Sequence, residues 1–241
     1  MADLIVLVHA PVLGPASWQP VGDELARAGH HVAVPALTGF ADGPAPYAPR
    51  LIAAFARQVA AAVGDPGRPD QVVLVLHSGA GPFAAQLAAA VPGGRASVVF
   101  ADAGLPSLSG PTPVVDAGFL PYLRQIAREG TVPPWSQWFP DEDPAEVFPT
   151  ETAQAAVLAD ARPLPLSFFE ETLPAAAGTP VSAAGYLLFS AGYQQEAGLA
   201  RERGWPVTEL PGTHLHPLAS SAAVATAIAS LAEQLTGRPL R

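Results

Sequence analysis

One serine stands where a buried strand would end and a helix would begin. Residues 72–83 read VVLVLHSGAGPF, a run of branched apolar residues followed by His77, Ser78 and small residues. A strand–turn–helix of this kind raises a serine Oγ above the sheet and points the backbone N–H of the next residue, Gly79, at the same place. Such a serine could be a nucleophile in acyl transfer. The alternative is that Ser78 only caps the helix that starts near Gly81.

The elements on both sides of this turn alternate between short apolar strands and longer helical stretches. Strand-like runs are predicted at 4–9, 31–37, 72–76, 97–101, 185–190 and 206–210. Helix-like runs are predicted at 18–29, 48–64, 81–91, 193–203 and from about 220 to 235. This alternation is typical of an α/β protein with a six-stranded, mainly parallel sheet flanked by helices.

The alternation stops between residues 106 and 180, which are rich in Pro and aromatic residues. Helix-like pieces are predicted only near 114–129 and 150–160. We interpret 106–180 as a helical cap inserted into a core domain formed by 1–105 and 181–241. The aromatic side chains of the cap could wall an apolar pocket over the serine, or could merely fasten the cap to the core. They are Trp135, Trp138, Phe139, Phe168 and Phe169.

Composition excludes several kinds of chemistry and of partner. A hydrophobic content of 49% over 241 residues is ample for the core of one large domain. The formal net charge of −9 is the wrong sign for binding nucleic acid or an anionic membrane surface. The chain has neither Cys nor Lys, which excludes thiol nucleophiles, thiolate metal sites, disulfides and lysine Schiff bases. We therefore expect no cofactor and no metal.

The amino-terminal sequence MADLIVLVHAP has no basic region and no cleavage site of the kind that signal peptides carry. No apolar run reaches the length of about 18 residues that a membrane span requires. We expect a cytoplasmic protein that does not bind membranes.

Four segments follow one another in the order and spacing of the α/β-hydrolase superfamily. They are the stretch 4–40, the HSGAG turn, FADAGLP and PGTHLHPL. The chain resembles most the short, capped branch that includes hydroxynitrile lyases and plant methyl esterases. The resemblance covers nearly the whole chain outside the cap, although Leu76 is larger than the residue that the G-x-S-x-G pattern places two before the serine. It implies an α/β-hydrolase fold.

The resemblance also implies the catalytic histidine, which follows the last strand in this family. That position is His214, and His216 would then line the pocket as a neighbour. The rival interpretation of these two residues, an H-x-H metal pair, has no carboxylate cluster nearby.

The acid of the triad is harder to assign. The family most often places it after the strand that here is 185–190, and no carboxylate follows that strand. Glu196 is the nearest and lies on a predicted helix. Haloalkane dehalogenases, a minority of the superfamily, place the acid after the preceding strand, and that position is Asp102. An Asp at the end of a buried strand needs a partner, which would be His214. The alternative is that Asp102 caps the first turn of the cap.

The oxyanion loop departs from the family pattern as well. The family's H-G-x loop donates the backbone N–H of its third residue, which here is Pro11, and proline has no N–H. The donors that remain are the N–H of Gly79 and, as a substitute, that of Val12. One lost donor is worth about 10²–10³ in the rate of acyl transfer.

These observations predict an enzyme with a Ser78–His214–Asp102 triad that acts on a small to medium, largely apolar ester, thioester or lactone. A second hypothesis keeps Ser78 and His214 but not the acyl-enzyme, and makes the protein a lyase, cyclase or isomerase that works by acid/base chemistry. A third is a ligand receptor without catalysis on a hydrolase body.

Overall fold

The computed structural model describes residues 3–63, 70–139, 148–175 and 181–240. The strands are β1 (Leu4–Val8), β2 (His31–Ala33), β3 (Val72–Ser78), β4 (Ala96–Ala103), β5 (Thr112–Pro113), β6 (Thr131–Val132), β7 (Leu164–Pro165), β8 (Thr172–Leu173), β9 (Val181–Leu188) and β10 (Val207–Glu209). The helices are α1 (Gln19–Arg27), α2 (Ala48–Val63), α3 (Ala84–Ala90), α4 (Leu120–Ile126), α5 (Glu151–Asp160), α6 (Leu166–Phe169), α7 (Gln194–Glu202), α8 (His216–Ala219) and α9 (Ser221–Thr236).

Six of the strands form one sheet in the order β10-β9-β4-β3-β1-β2. All of the pairs in this sheet are parallel. Because parallel strands end at the same edge, the residues that follow β1, β3, β4, β9 and β10 are brought to one side of the molecule. The predicted α/β class and the six-stranded sheet are confirmed.

The sheet is covered on both faces, which explains why its central strands are apolar at successive positions. Alternate residues such as Leu74 and Leu76 face one apolar cluster, which includes buried residues of α2 and α3. The intervening Val73 and Val75 face a second cluster, which includes buried residues of α1 and α9. The period of two along each strand therefore divides the core into two layers.

The segment between β4 and β9 contains α4, α5, α6 and two small antiparallel pairs, β5 with β8 and β6 with β7. The first of its helices is shorter than predicted. It begins only at Leu120, after a turn in which the Asp116 side chain accepts the N–H of Gly118 and the Asp116 carbonyl accepts the N–H groups of Phe119 and Leu120. The assignment of this segment as a separate cap stays a prediction.

Glu171 joins the segment between β4 and β9 to the core by hydrogen bonds. Its carboxylate accepts the backbone N–H groups of Tyr47 and Ala48, at 2.6 and 2.7 Å, at the start of α2. A helix begins with N–H groups that have no partner within the helix, and here a distant side chain supplies one. None of the described helices is both long and apolar enough to cross a bilayer.

Candidate active site

Ser78 is the last residue of β3. Its backbone has a positive φ of 55°, which residues other than glycine seldom adopt. The chain then turns directly into a short 3-10 helix (Gly81–Phe83) and α3. The turn directs Ser78 into a cavity rather than into the sheet. A strained strand–turn–helix of this kind can expose a nucleophile at the carboxyl ends of parallel strands.

The turn is tight because it passes against the end of β4. A Cβ atom at Gly81 would overlap the carbonyl oxygen of Gly104, so only glycine fits there. The Gly104 N–H in turn donates to the carbonyl oxygen of Ser78, at 3.2 Å. In the G-x-S-x-G pattern, the glycine that allows a close approach to neighbouring backbone stands two residues after the serine. Here that glycine is Gly81, three residues after Ser78.

Asp102 is positioned by an irregularity in β4. His77 pairs with Ala101 but Ser78 pairs with Ala103, so Asp102 is left out of the ladder, and its φ is 41°. A bulge of this kind redirects one side chain. The phenolic hydroxyl of Tyr186 holds the bulge, because it bonds both the N–H and the C=O of Ala103, at 3.0 and 2.9 Å.

The Asp102 carboxylate is fully buried and has several hydrogen-bond donors around it. Phe189 N–H donates at 2.6 Å, Ser190 N–H at 3.0 Å and Ser190 Oγ at 2.6 Å. The fourth group is His214, whose Nδ1 lies 3.2 Å from Asp102 Oδ2. This contact fixes the proton of a neutral His214 on Nδ1 and leaves Nε2 free to accept a proton.

The imidazole of His214 lies between two other rings. The His77 ring stacks against it with centroids 4.6 Å apart, and the Tyr193 ring stacks against it at 5.0 Å, nearly parallel. His77 also donates from Nε2 to the carbonyl oxygen of His214, at 3.1 Å. Burial, and after it the nearby His214, lowers the pKa of His77 well below its usual value, so His77 remains neutral.

The hydroxyl of Ser78 makes its hydrogen bond with the Tyr193 hydroxyl, at 3.2 Å. Within the described part of the chain no hydrogen bond joins Ser78 to His214, although both line the same cavity. Burial raises the pKa of Tyr193 to about 12, so this phenol keeps its proton at neutral pH. Tyr193 was not among the residues that sequence reasoning singled out.

The cavity has a volume of about 540 Å³, which suits a small to medium molecule. All five aromatic residues predicted for the pocket line it. Phe168 packs in addition against Phe40 and Phe83 of the core. The structure differs for His216, which is not among the lining residues, because it begins α8 with its ring against Phe189.

Glu196 lines the cavity but is not the partner of His214. One of its carboxylate oxygens, Oε2, is buried without a hydrogen-bond partner among the described residues. Burial, and to a lesser extent the charges of Asp116 and Asp102, raises the pKa of Glu196. Glu196 is therefore a polar, partly buried group in the wall of the cavity.

The loop after β1 reaches the other side of Ser78. Pro11 lies against Gly79, since a Cβ atom at Gly79 would be 3.5 Å from Pro11 Cδ. The Cδ of a proline stands where other residues carry the N–H hydrogen, so a methylene group occupies the direction of the family's usual donor. Gly79 and Val12 also line the cavity, and neither N–H has a hydrogen-bond partner within the described ranges.

His9, which precedes this loop, is buried and structural. Its Nδ1 donates to the carbonyl oxygen of Ala10 at 2.8 Å, and its Nε2 accepts the N–H of Leu37 at 3.0 Å. Burial lowers the pKa of His9 to about 4. Across the residues that the structure describes, no three His, Asp or Glu side chains come together as metal ligands do.

Two functional residues escaped the sequence analysis, and a signal existed for one of them. Tyr193 follows β9 in the sequence SAGY, at the place where the family most often carries its acid, so a polar side chain there was a candidate. Ser190 holds Asp102 by contacts across strands that no local pattern reveals.

Residues 5–227 match the model of the alpha/beta hydrolase family. The chain therefore belongs to the alpha/beta hydrolase family, as the resemblance implied, and it is a hydrolase-like enzyme. No curated protein sequence matches the chain.

Several solved structures share the fold at low sequence identity. Tomato methylketone synthase I in complex with β-ketoheptanoate has a TM-score of 0.69 and 16% identity, over 98% of this chain and 99% of that one. The same tomato protein has also been solved with 2-tridecanone. An extracellular hydrolase from a Paenibacillus species has a TM-score of 0.67 and 17% identity, over 96% and 99% of the two chains. A pyrethroid hydrolase from Sphingobium faniae has a TM-score of 0.66 and 18% identity, over 96% and 97%.

Proposed function

We propose that the protein is a serine esterase that cleaves small to medium, largely apolar carboxylic esters through an acyl-enzyme on Ser78. The observation that carries the proposal is one constellation. Ser78, at a φ of 55°, opens into the same cavity as His214, and His214 contacts the buried Asp102 at 3.2 Å. Thioesters and lactones, which undergo the same acyl transfer, are substrates of the same class.

In this mechanism His214 Nε2 takes the proton of Ser78 as Oγ attacks the carbonyl carbon of the ester. The charge that develops on His214 is stabilised by Asp102, whose carboxylate is held in place by its other donors. The N–H of Gly79, which has no protein partner within the described ranges, donates to the oxyanion. His214 then returns the proton to the departing alcohol, and water releases the acid by the same steps.

The residues that line the cavity favour a substrate whose acyl or alcohol group is apolar. Trp135, Trp138 and Phe168 are among its lining residues, and the Tyr193 hydroxyl lies beside Ser78. Burial of an apolar group is worth about 25 cal/mol per Å² of apolar surface.

The direct test is hydrolysis of p-nitrophenyl esters of increasing acyl length by the purified protein and by Ser78→Ala. We expect the parent to hydrolyse them with an optimum at short to medium chains, and the variant to lose about 10³-fold or more in kcat. Equal rates for the two proteins would show that Ser78 is not the nucleophile.

A second candidate is acid/base chemistry without an acyl-enzyme, and the position of Pro11 favours it. Pro11 Cδ faces Gly79 where an oxyanion donor would stand. The two molecules named for the tomato structures are a β-keto acid and a methyl ketone, and loss of CO₂ converts the first class of compound into the second. In that reaction the carbon–carbon bond electrons pass to the enolate, which is then protonated by an acid such as the imidazolium form of His214, and no nucleophile is needed.

The same Ser78→Ala variant separates the two candidates. If the protein decarboxylates β-keto acids such as β-ketoheptanoate, the variant should retain that activity while it loses ester hydrolysis. A parent protein that shows no decarboxylation above the spontaneous rate would eliminate the second candidate.

A further inference from the structure

The oxyanion loop lacks the backbone donor that the family normally takes from its third residue, and the substitute Val12 N–H belongs to the residue after it. Pro11 cannot donate, and its Cδ fills the direction from which the family's N–H would come. Gly79 N–H remains as the donor next to the nucleophile. Loss of one oxyanion donor lowers the rate of acyl transfer about 10²–10³-fold. A site without the usual donor therefore needs another hydrogen-bond donor in its place.

The Tyr193 hydroxyl is the side-chain group that contacts the nucleophile. Its Oη lies 3.2 Å from Ser78 Oγ, and its ring is fixed by stacking on His214. The structure assigns Tyr193 a catalytic role: its hydroxyl donates a hydrogen bond to Ser78 Oγ and then to the neighbouring oxyanion, which supplies from a side chain the donor that Pro11 lacks. This inference rests on the proposed esterase function.

The direction of the hydrogen bond follows from the proton that Ser78 must give up. The hydroxyl hydrogen of Ser78 has to reach His214 Nε2 during attack, so the proton between Ser78 and Tyr193 must be that of the phenol. Burial raises the pKa of Tyr193 to about 12, so the phenol is neutral and can donate. The hydroxyl has no other hydrogen-bond partner among the described residues.

The step balances without a change in the protonation of Tyr193. The Oγ–H bond of Ser78 breaks and its proton moves to His214, while a bond forms from Oγ to the carbonyl carbon. The π electron pair of the carbonyl moves onto its oxygen. That oxygen is bonded to the same carbon as Oγ, so the Tyr193 hydrogen bond needs only a small shift to follow the negative charge.

A double-mutant cycle between Tyr193→Phe and Pro11→Gly tests the inference, with p-nitrophenyl and phenyl esters of one acyl group as substrates. Tyr193→Phe keeps the ring that stacks on His214 and removes only the hydroxyl. We expect it to lower kcat/KM about 10²-fold through kcat, by the same factor for both alcohols. Pro11→Gly, which restores a backbone N–H, should raise the activity of Tyr193→Phe about tenfold or more but the parent much less.

Tyr47→Phe is the matched control, because Tyr47 is a largely buried tyrosine outside the cavity lining. Equal activities of Tyr193→Phe and Tyr47→Phe, in a parent that hydrolyses esters, would overturn the role of Tyr193 and leave the esterase proposal intact. A loss confined to the phenyl ester would also overturn it, since the phenol would then act on the departing alcohol. A parent that hydrolyses no ester would instead refute the proposed function itself.

Discussion

Asp102 has a backbone φ of 41° and a carboxylate that accepts from Phe189, Ser190 and His214. A side chain held by this many donors cannot turn away, so its distance to His214 is set by the fold. Glu196, which lies on α7, makes no hydrogen bond with His214 among the described residues. Glu196 faces the cavity instead.

The two carboxylates should therefore respond differently to neutral replacement. Asp102→Asn keeps the shape but favours the wrong tautomer of His214, which costs about 10⁴ in turnover in triads of this type. We expect Glu196→Gln to retain kcat within about tenfold and to change mainly KM, because it alters only a cavity wall. Steady-state kinetics on one ester measures both. The opposite ranking would place the acid on Glu196.

At the scale of single residues, the sequence allowed Ser78, His214, Asp102 and the aromatic wall to be named, because each lies beside a strand end or in a distinctive local string. The location of His216 outside the cavity lining was not predictable. His216 is only two residues after His214, but it is already the first residue of α8. Tyr193 was not predicted, because the family most often carries a carboxylate after this strand and a phenol does not match that pattern.

At the scale of elements, the strands were predictable because β3 and β4 are continuous apolar runs between helical patterns. The bulge in β4 was not, because it depends on the register between His77–Ser78 and Ala101–Ala103. The two-residue strands of the segment between β4 and β9 were also missed, since so short a run has no periodicity to detect.

The contact between the β3 turn and the end of β4 predicts the effect of adding one methyl group. Gly81→Ala places a Cβ against the carbonyl oxygen of Gly104, which is backbone and cannot turn aside. We expect a loss of about 1–3 kcal/mol in the free energy of unfolding, together with a lower kcat as the Ser78 turn shifts.

Gly198→Ala is the control for this prediction. Gly198 lies within α7, and nothing lies within 4 Å of an added Cβ. The variant should gain about 0.5–1 kcal/mol, because alanine favours a helix more than glycine does. Urea denaturation of both variants measures the difference, and similar stabilities would mean that the turn is looser than the structure indicates.

At the scale of the whole molecule, two buried neutral histidines next to the catalytic loops make folding depend on pH. Burial lowers the pKa of His9 to about 4 and that of His77 well below its usual value. An unfolded chain binds protons at these residues below about pH 6.5, whereas the folded protein does not. Acid therefore favours the unfolded state, and stability falls as the pH drops below about 6.5.

We expect His9 alone to lower the free energy of unfolding by about 2 kcal/mol between about pH 7 and about pH 5, with His77 adding to this. Urea midpoints at the two pH values test the prediction. His9→Asn should show a smaller difference than the parent. Equal stability of the parent at both pH values would mean that these histidines titrate normally in the folded protein.

The most direct test of the central claim, that Ser78 is a nucleophile activated by His214 and Asp102, is the site and rate of covalent labelling by a fluorophosphonate. Peptide mass spectrometry of the treated parent should locate a single stoichiometric adduct on Ser78. Asp102→Asn should label far more slowly, while Tyr47→Phe labels at the parental rate. A folded parent protein that stays unlabelled at Ser78, or that labels equally fast without Asp102, would contradict the account.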